Sequence, residues 1–260
     1  MPKFLLLIFL VFTTVTLRAQ TWEIGAAAGG AGYMGDLNTN NPIKISGYVF
    51  GGFVKRNFNG YLSARLNANF GQVSAADSTS GSQQFRNRNL SFTTDLREVS
   101  LVAEFNFMNY IPDAGKNKYS PYIFLGIADT HYVPRTVYRG KTYDLRSLQT
   151  EGESIYPTST ISILYGAGFK YNITGKFTLG AELGYRNTNT DYLDDVSGNY
   201  ADKSRQSLTA ALLGDRSGEK TGVYIGSQGT QRGDLRPHDT YFFSQITISY
   251  TFVTQKCYFQ

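Results

Sequence analysis

Apolar and polar residues alternate strictly over long stretches of this chain, and that period of two is the strongest constraint on its fold. Between residues 62 and 70 every even-numbered position is apolar and every odd-numbered position is polar. Similar alternation recurs at 98–107, 161–172 and 177–186, and less regularly at 22–32, 47–58, 120–131 and 241–252. Successive side chains of a β-strand point to opposite faces, so each segment predicts a strand with one apolar face. Tilted strands of about 9–11 residues can cross a bilayer, and these segments reach that length.

The connections between these segments alternate between short and long. The short ones are Asn57 to Gly60, residues 110–119, and Asn172 to Gly175. In the first and last of these we expect a tight hairpin, with glycine at a position of positive φ. The long connections are 33–45, 74–94, 132–157 and 188–240.

This segregation of loops favours a membrane barrel over a secreted soluble one, since outer-membrane barrels have short periplasmic turns and long outer loops. We therefore predict an all-β fold, an eight-stranded antiparallel transmembrane β-barrel with short periplasmic turns and long extracellular loops. Aromatic residues near the short turns are expected to form a girdle at the periplasmic membrane interface. They are Trp22, Tyr61, Tyr110, Tyr119, Tyr122, Tyr171, Phe177, Tyr250 and Phe252.

The N-terminus has the features of an export signal. Lys3 precedes an apolar run from Phe4 to Val15, and Ala19 offers a small residue for cleavage. The run is too short for a helix that spans about 30 Å of hydrocarbon. We predict a signal peptide at 1–19 and a single barrel domain at 20–260. The formal charge of +5 is too mild to indicate nucleic-acid binding.

The inward faces of the predicted strands carry equal numbers of acidic and basic residues. An eight-stranded barrel encloses a space only wide enough for side chains, where unpaired charges are costly. A balanced set therefore predicts an internal ion-pair network that fills the lumen, rather than a pore or a proton path. The residues are Glu23, Lys55, Arg65, Glu98, Glu104, Lys170, Glu182 and Arg186.

Two other constellations could carry chemistry, and neither is specific. His131 and His238 lie near acidic residues at the outer ends of predicted strands, but those strands are not neighbours and no motif joins them. The segment 191–198 carries three carboxylates, yet its spacing matches no standard calcium loop, so a capped turn or a contact with a basic loop is favoured. We expect no catalytic residue, cofactor, metal site or small-molecule substrate.

An ordered set of short segments resembles the PorG family of Bacteroidota outer-membrane proteins. The resemblance runs from Trp22 to about Cys257. Its segments are Trp22-Glu23-Ile24-Gly25, Tyr33-Met34-Gly35-Asp36-Leu37-Asn38, Arg88-Asn89-Leu90-Ser91-Phe92, Glu104-Phe105-Asn106-Phe107, Ser120-Pro121-Tyr122-Ile123-Phe124-Leu125-Gly126, Leu148-Gln149-Thr150-Glu151-Gly152, Asp191-Tyr192-Leu193-Asp194-Asp195-Val196-Ser197-Gly198, Arg232-Gly233 and Asp239-Thr240-Tyr241.

The resemblance implies a non-enzymatic component of the type IX protein secretion system, which also supports gliding motility in some bacteria. It implies the periplasmic ring proteins PorK and PorN as partners, in addition to the outer-membrane lipid that the predicted barrel itself requires. Their contact would lie on the periplasmic face, where we expect Lys116, Lys118, Lys256, Tyr258 and Phe259 to be available. The alternatives are a surface barrel that binds a ligand or a host through its long loops, and a rim-located enzyme.

Overall fold

Each alternating segment pairs with the next along the chain, and the first pairs with the last. The computed structural model describes residues 21–112 and 117–252. Its strands are β1 (Thr21–Met34), β2 (Ile45–Asn57), β3 (Leu62–Ala76), β4 (Ser91–Asn106), β5 (Tyr119–Tyr138), β6 (Lys141–Asp144), β7 (Ser159–Thr174), β8 (Phe177–Thr188) and β9 (Thr240–Phe252). All pairings are antiparallel, and β1 joins β9 to close a barrel of eight strands. The short β6 adds only to the outer end of β5. The predicted fold class is confirmed.

The two faces of the barrel wall follow the period of two. On β4, Val99 and Leu101 are 56% and 55% exposed, whereas Glu98 and Ser100 are 2% and 1% exposed. Polar side chains therefore face the lumen along the lower part of the barrel, and apolar side chains face outward.

The outward-facing side chains form a continuous apolar surface, here called the lipid belt. At its middle Leu101 pairs with Ile127, and Ile127 pairs with Ile163; all three are more than half exposed. A surface of this kind around a closed barrel is stable in hydrocarbon, since no backbone edge is left without hydrogen bonds. The protein is an integral β-barrel of the outer membrane. None of the helices in the described part of the chain combines the length and the apolar character that a transmembrane helix requires.

The short turns agree with the prediction in length, and one of the two glycine arguments is wrong. Gly175 has a φ of +46°, as a tight hairpin requires. Gly60 does not have a positive φ. A Cβ at this position would instead meet the side-chain oxygen of Asn109, which would have to move. Residues 113–116 of the third short turn lie outside the described part of the chain.

The predicted aromatic girdle is correct for its outward-facing members and wrong for two tyrosines. Trp22, Tyr61 and Tyr119 are 45–47% exposed near the short turns. Tyr110 and Tyr122 are 5% and 4% exposed and face the lumen. For Tyr122 the reason is its position in β5, because it lies an odd number of residues from the outward-facing Tyr119.

The strands continue outward beyond the lipid belt, so the predicted loops 74–94 and 132–157 are partly strand. β3 and β4 remain paired to Ala76 and Ser91. The connections beyond the eight barrel strands are residues 35–44, 77–90, 139–158 (which includes β6) and 189–239, and together they form what we call the outer cap. They contain three short α-helices, α1 (Gln83–Arg88), α2 (Leu208–Gly214) and α3 (Gly218–Thr221), with 3-10 turns at Asp77–Thr79, Arg146–Leu148 and Lys203–Arg205.

The outer cap has an apolar core of its own, shared with the inner face of the outer strand ends. Leu96 and Phe243 from the strands are buried against Leu193, Val196 and Leu213 from the longest connection. The mouth of the barrel is therefore closed by packed side chains.

Candidate functional site

The lumen holds a connected set of buried ion pairs. Glu104 Oε1 lies 3.1 Å from Arg65 Nε, and its Oε2 lies 3.6 Å from Lys55 Nζ and 3.3 Å from Lys170 Nζ. Lys55 also pairs with Glu23 at 2.9 Å. Glu104 belongs to β4 and its three basic partners belong to β2, β3 and β7, so these contacts join strands across the barrel.

Two further acids pair with arginines in the lumen, one within the connected set and one above it. Arg65 Nη1 lies 2.9 Å from Glu182 Oε2. Higher in the barrel, Arg186 Nε lies 2.8 Å from Glu98 Oε2, which also accepts a hydrogen bond of 2.7 Å from the Tyr241 hydroxyl. The structure thus places all eight predicted lumen residues inside the barrel, and each takes part in at least one of these pairs.

Aromatic rings fill the space around the charges. The Arg65 guanidinium lies 5.1 Å from the ring centroid of Phe53 and 5.7 Å from that of Phe124. Tyr122 donates a hydrogen bond of 2.9 Å to Glu182 Oε2. Gly168 faces the Tyr122 ring, where any side chain would collide with it. The lower lumen is packed with side chains that stabilise one another, and such packing is unsuited to conduction.

The periplasmic face presents a groove of about 200 Å³ between two short turns. Ile111 and Ile173 line it and are 46% and 48% exposed, and Lys118 stands beside them. Of the residues proposed from the sequence for periplasmic contact, Lys118 is exposed. The others, Lys116, Lys256, Tyr258 and Phe259, lie outside the described residues, as does the predicted signal peptide 1–19.

Arg88 connects several segments of the outer cap through hydrogen bonds. It is 4% exposed and forms two hydrogen bonds of 2.7 Å to the carboxylate of Asp77. It also donates to the backbone carbonyls of Asp36 and Arg232, at 2.9 and 2.6 Å. One guanidinium therefore joins three of the four connections in the cap.

Arg232 connects two further segments of the outer cap. Its Nη1 lies 2.8 Å from Glu151 Oε1 and donates to the carbonyl of Asp195 at 2.6 Å. Glu151 in turn accepts hydrogen bonds from the backbone of Ser197 and Gly198. These contacts fix the segment 191–198 against the connection between β5 and β7.

The acidic segment 191–198 does not gather its carboxylates around one point. Asp195 accepts hydrogen bonds from Thr150 and Tyr156, at 2.5 and 2.7 Å. Asp194 Oδ1 accepts from the backbone of Val196, as in a capped turn, and its Oδ2 accepts from the Tyr33 hydroxyl. Asp191 points elsewhere, toward Asp36 and Asp239.

Burial governs the protonation of these acids. It raises the pKa of Asp195 to about 6, against the opposing effect of Arg232. Burial also raises the pKa of Asp36 to about 7, and the charges of Asp234 and Glu151 act in the same direction. The outer cap thus contains a dense set of buried ionisable groups outside the membrane.

The two histidines do not form a catalytic arrangement. Both are exposed: His131 lies within β5 and His238 lies two residues before β9, and these two strands are not neighbours in the barrel. Within the described residues no hydrogen bond joins either imidazole to a carboxylate.

Most of the sequence segments that carry the family resemblance meet in the outer cap. Arg88, Glu151 and Arg232 come from three of them, and the sequence-based interpretation gave these residues no role. The available signal was their location, because these motifs lie in predicted loops, where barrel packing does not demand a particular residue.

Comparison with solved structures returns other outer-membrane barrels. The chain is similar to the outer membrane protein OprG from Pseudomonas aeruginosa, with 12% identity, a TM-score of 0.41, and coverage of 90% of this chain and 96% of that one. It is also similar to a major outer membrane protein from Thermus thermophilus, with 13% identity, a TM-score of 0.41, and coverage of 90% and 100%. It is similar as well to the E. coli outer membrane protein W, with 14% identity, a TM-score of 0.39, and coverage of 88% of this chain and 97% of that one.

No curated protein matches the chain. Residues 2–224 match the model of the family described as Domain of unknown function (DUF6089), and because that match spans most of the chain, the protein belongs to this family.

Proposed function

We propose that this protein is a closed, non-enzymatic scaffold in the outer membrane and a component of the type IX secretion system. The observation that carries the proposal is the sealed barrel, packed by ion pairs in the lumen and closed by the outer cap. A barrel of this kind does not conduct cargo itself and is suited to anchoring other proteins at the membrane. The secretion system is implied by the resemblance to the PorG family.

The periplasmic ring proteins PorK and PorN are the proposed partners. Their contact would use the groove between the 110–119 turn and the 172–175 turn. Ile111 and Ile173 would supply apolar contact, and Lys118 a positive charge at its edge. In the sequence, Lys116, Lys256, Tyr258 and Phe259 would extend the same contact. Aromatic and basic side chains of this kind often dominate binding energy at protein interfaces.

The test is a double substitution, Ile111→Asp with Ile173→Asp, in the tagged protein expressed in its own bacterium. Copurification of PorK and PorN and secretion of cargo are expected to fall at least about tenfold, since two desolvated apolar contacts are lost. In a gliding bacterium, motility is expected to fall with secretion.

The control is Phe58→Asp, which places one aspartate on the other tight periplasmic turn, at a side chain that is 39% exposed. This variant should assemble and retain the ring. Normal recovery of the ring by the double variant, with assembly confirmed by heat-modifiable gel migration, would contradict the proposed contact.

A further inference from the structure

Three carboxylates from separate parts of the chain meet in the outer cap. One oxygen each from Asp36, Asp191 and Asp239 lies within 4.8 Å of the others. Asp36 follows β1, Asp191 belongs to the long connection after β8, and Asp239 precedes β9. Asp36 and Asp239 are 1% and 0% exposed, and Asp191 retains 9%.

The nearby basic side chains pair with other carboxylates. The Arg88 guanidinium is bonded to the carboxylate of Asp77, and it reaches Asp36 only at its backbone carbonyl. The Arg232 guanidinium is paired with Glu151. Within the described residues, no salt bridge reaches Asp36, Asp191 or Asp239. Buried carboxylates without a compensating charge are strongly unfavourable.

Asp36 also has an oxygen that no protein group satisfies. Its Oδ1 accepts a hydrogen bond from the backbone of Asp234, whereas Oδ2 is buried and has no hydrogen-bond partner in the described part of the chain. A buried polar atom of this kind is rare and costly unless a water or an ion completes it. Asp36 therefore has one carboxylate oxygen that no protein group in the described part of the chain satisfies.

The Tyr33 hydroxyl reaches two carboxylates with a single proton. It lies 2.5 Å from Asp194 Oδ2 and 3.1 Å from Asp239 Oδ1. Because Asp194 is the nearer acceptor, the hydrogen bond to Asp239 is the weaker of the two. The other oxygen of Asp239 accepts from the backbone of Leu193 at 2.9 Å.

We propose that Asp36, Asp191 and Asp239 bind a divalent cation, with calcium the best match. The donors are all carboxylate oxygens, which hard cations prefer. Calcium binds oxygen at about 2.3–2.6 Å, so two of its ligands can stand up to about 5 Å apart, as these oxygens do. Water could reach the cation on the side of the partly exposed Asp191 and complete its coordination. This differs from the sequence-based expectation of no metal site, because two of the three ligands lie outside the acidic segment.

The cation joins three pieces of the outer cap that are distant in sequence. It holds the connection after β1 and the connection after β8 against the start of β9. The site faces the cell exterior, where calcium-binding modules have dissociation constants of about 10⁻⁴–10⁻³ M. This inference does not depend on the proposed secretion role.

The experiment uses the full-length protein in detergent, first treated with EDTA. Thermal unfolding is then followed in EDTA, in millimolar CaCl2 and in millimolar MgCl2. Calcium should raise the melting temperature by several degrees, because it binds the folded state alone. Magnesium should do less, since it requires a tighter octahedral site. Binding of Tb³⁺, sensitised by Tyr33 and displaced by calcium, gives a second readout.

Asp191→Asn is the diagnostic variant because Asp191 is the least buried of the three. It should fold, lose the calcium-dependent shift, and weaken Tb³⁺ binding at least about tenfold. In EDTA it should be as stable as the wild type or more so, since one of the repelling charges is gone. The matched control, Asp95→Asn, removes an exposed carboxylate from the outer barrel wall and should keep the full shift.

The proposal is overturned if the melting temperature of the wild type is the same in calcium as in EDTA. It is equally overturned if Asp191→Asn keeps the full calcium shift, since binding would then be elsewhere on the surface. In either case Asp36, Asp191 and Asp239 do not form a calcium site.

Discussion

The lower and upper halves of this barrel have opposite polarity. In the lipid belt, apolar side chains such as Leu101 face outward, and charged ones such as Glu104 face the lumen. Beyond the belt, Leu96 and Phe243 are buried inside, whereas Asp95 and Arg135 form an ion pair on the outer surface with about half of each side chain exposed. The lower half is built for hydrocarbon, and the upper half is built like a water-soluble protein.

The difference shows that one continuous strand can serve two solvents. β4 carries Leu96 inward and Leu101 outward, five residues apart, without any break in its pairing with β3 and β5. Hydrogen bonding holds the wall together along its whole length, and only the choice of side chains follows the surrounding medium. The lumen and the cap close the barrel by different means, ion pairs in one and an apolar core in the other.

The largest effect is expected from breaking the lumen network at its centre. Glu104→Gln removes the shared partner of Lys55, Arg65 and Lys170 and leaves buried positive charge uncompensated. We expect a loss of about 3–5 kcal/mol in the free energy of unfolding, measured by urea titration in lipid vesicles.

The control breaks an ion pair in the upper half. Asp95→Asn removes the exposed pair with Arg135, which should contribute only about 0–1 kcal/mol. Equal effects of the two substitutions would mean that the lumen charges are hydrated and not packed.

The second-largest effect is expected from a charge placed on the outer face of the barrel, and it tests where the lipid belt ends. Leu101→Arg places a charge near the middle of the belt and should cost about 2–4 kcal/mol in the same unfolding assay. Val137→Arg makes the same kind of change at an outward position of β5 that is 59% exposed, beside β6. It should cost close to nothing, because that position faces water. A large cost at both positions would place the membrane boundary further out.

The smallest effect concerns the cap alone. The side chain of Ser207 accepts a hydrogen bond of 3.1 Å from the backbone of Ala210 at the start of α2, which buries Leu213. Ser207→Ala should destabilise this part of the cap by about 1 kcal/mol. Limited proteolysis of the 189–239 connection should become faster while the barrel stays heat-modifiable.

The matched control is Ser82→Ala, at the start of the other helix, α1. Ser82 precedes α1 in the same capping position but makes no side-chain hydrogen bond there. Proteolysis of this variant should match the wild type. Faster cleavage in both variants would indicate that α2 is not held by its cap.

The barrel could be predicted from the sequence because its rule is local. A period of two fixes which side chains of a strand face the same way, so Arg65, Glu98 and Glu104 are assigned to the lumen without knowledge of their partners. The same rule would have placed Tyr122 correctly. Nearness to a turn predicts the girdle for Tyr122, and the alternation is the better guide because it fixes the face of the strand.

The cap could not be predicted because its contacts are between distant residues. Arg88 reaches the carbonyl of Arg232, and Tyr33 reaches Asp194, with more than a hundred residues between the partners. No periodicity connects such pairs, and the three helices of the cap are short. The cluster of Asp36, Asp191 and Asp239 has the same origin, since only the closed barrel brings the ends of β1 and β9 together.

The lumen and the cap both close this barrel, and we expect the packed lumen to be sufficient without the cap; the most direct test is conductance in a planar bilayer. The wild type is compared with a variant whose residues 189–239 are replaced by a short hairpin, with folding of both confirmed by heat-modifiable migration. Both should show no stable current, because the ion pairs around Glu104 lie below the cap and remain in place. Reproducible channel openings by the uncapped variant would show that the cap forms the seal, and openings by the wild type would contradict a closed barrel altogether.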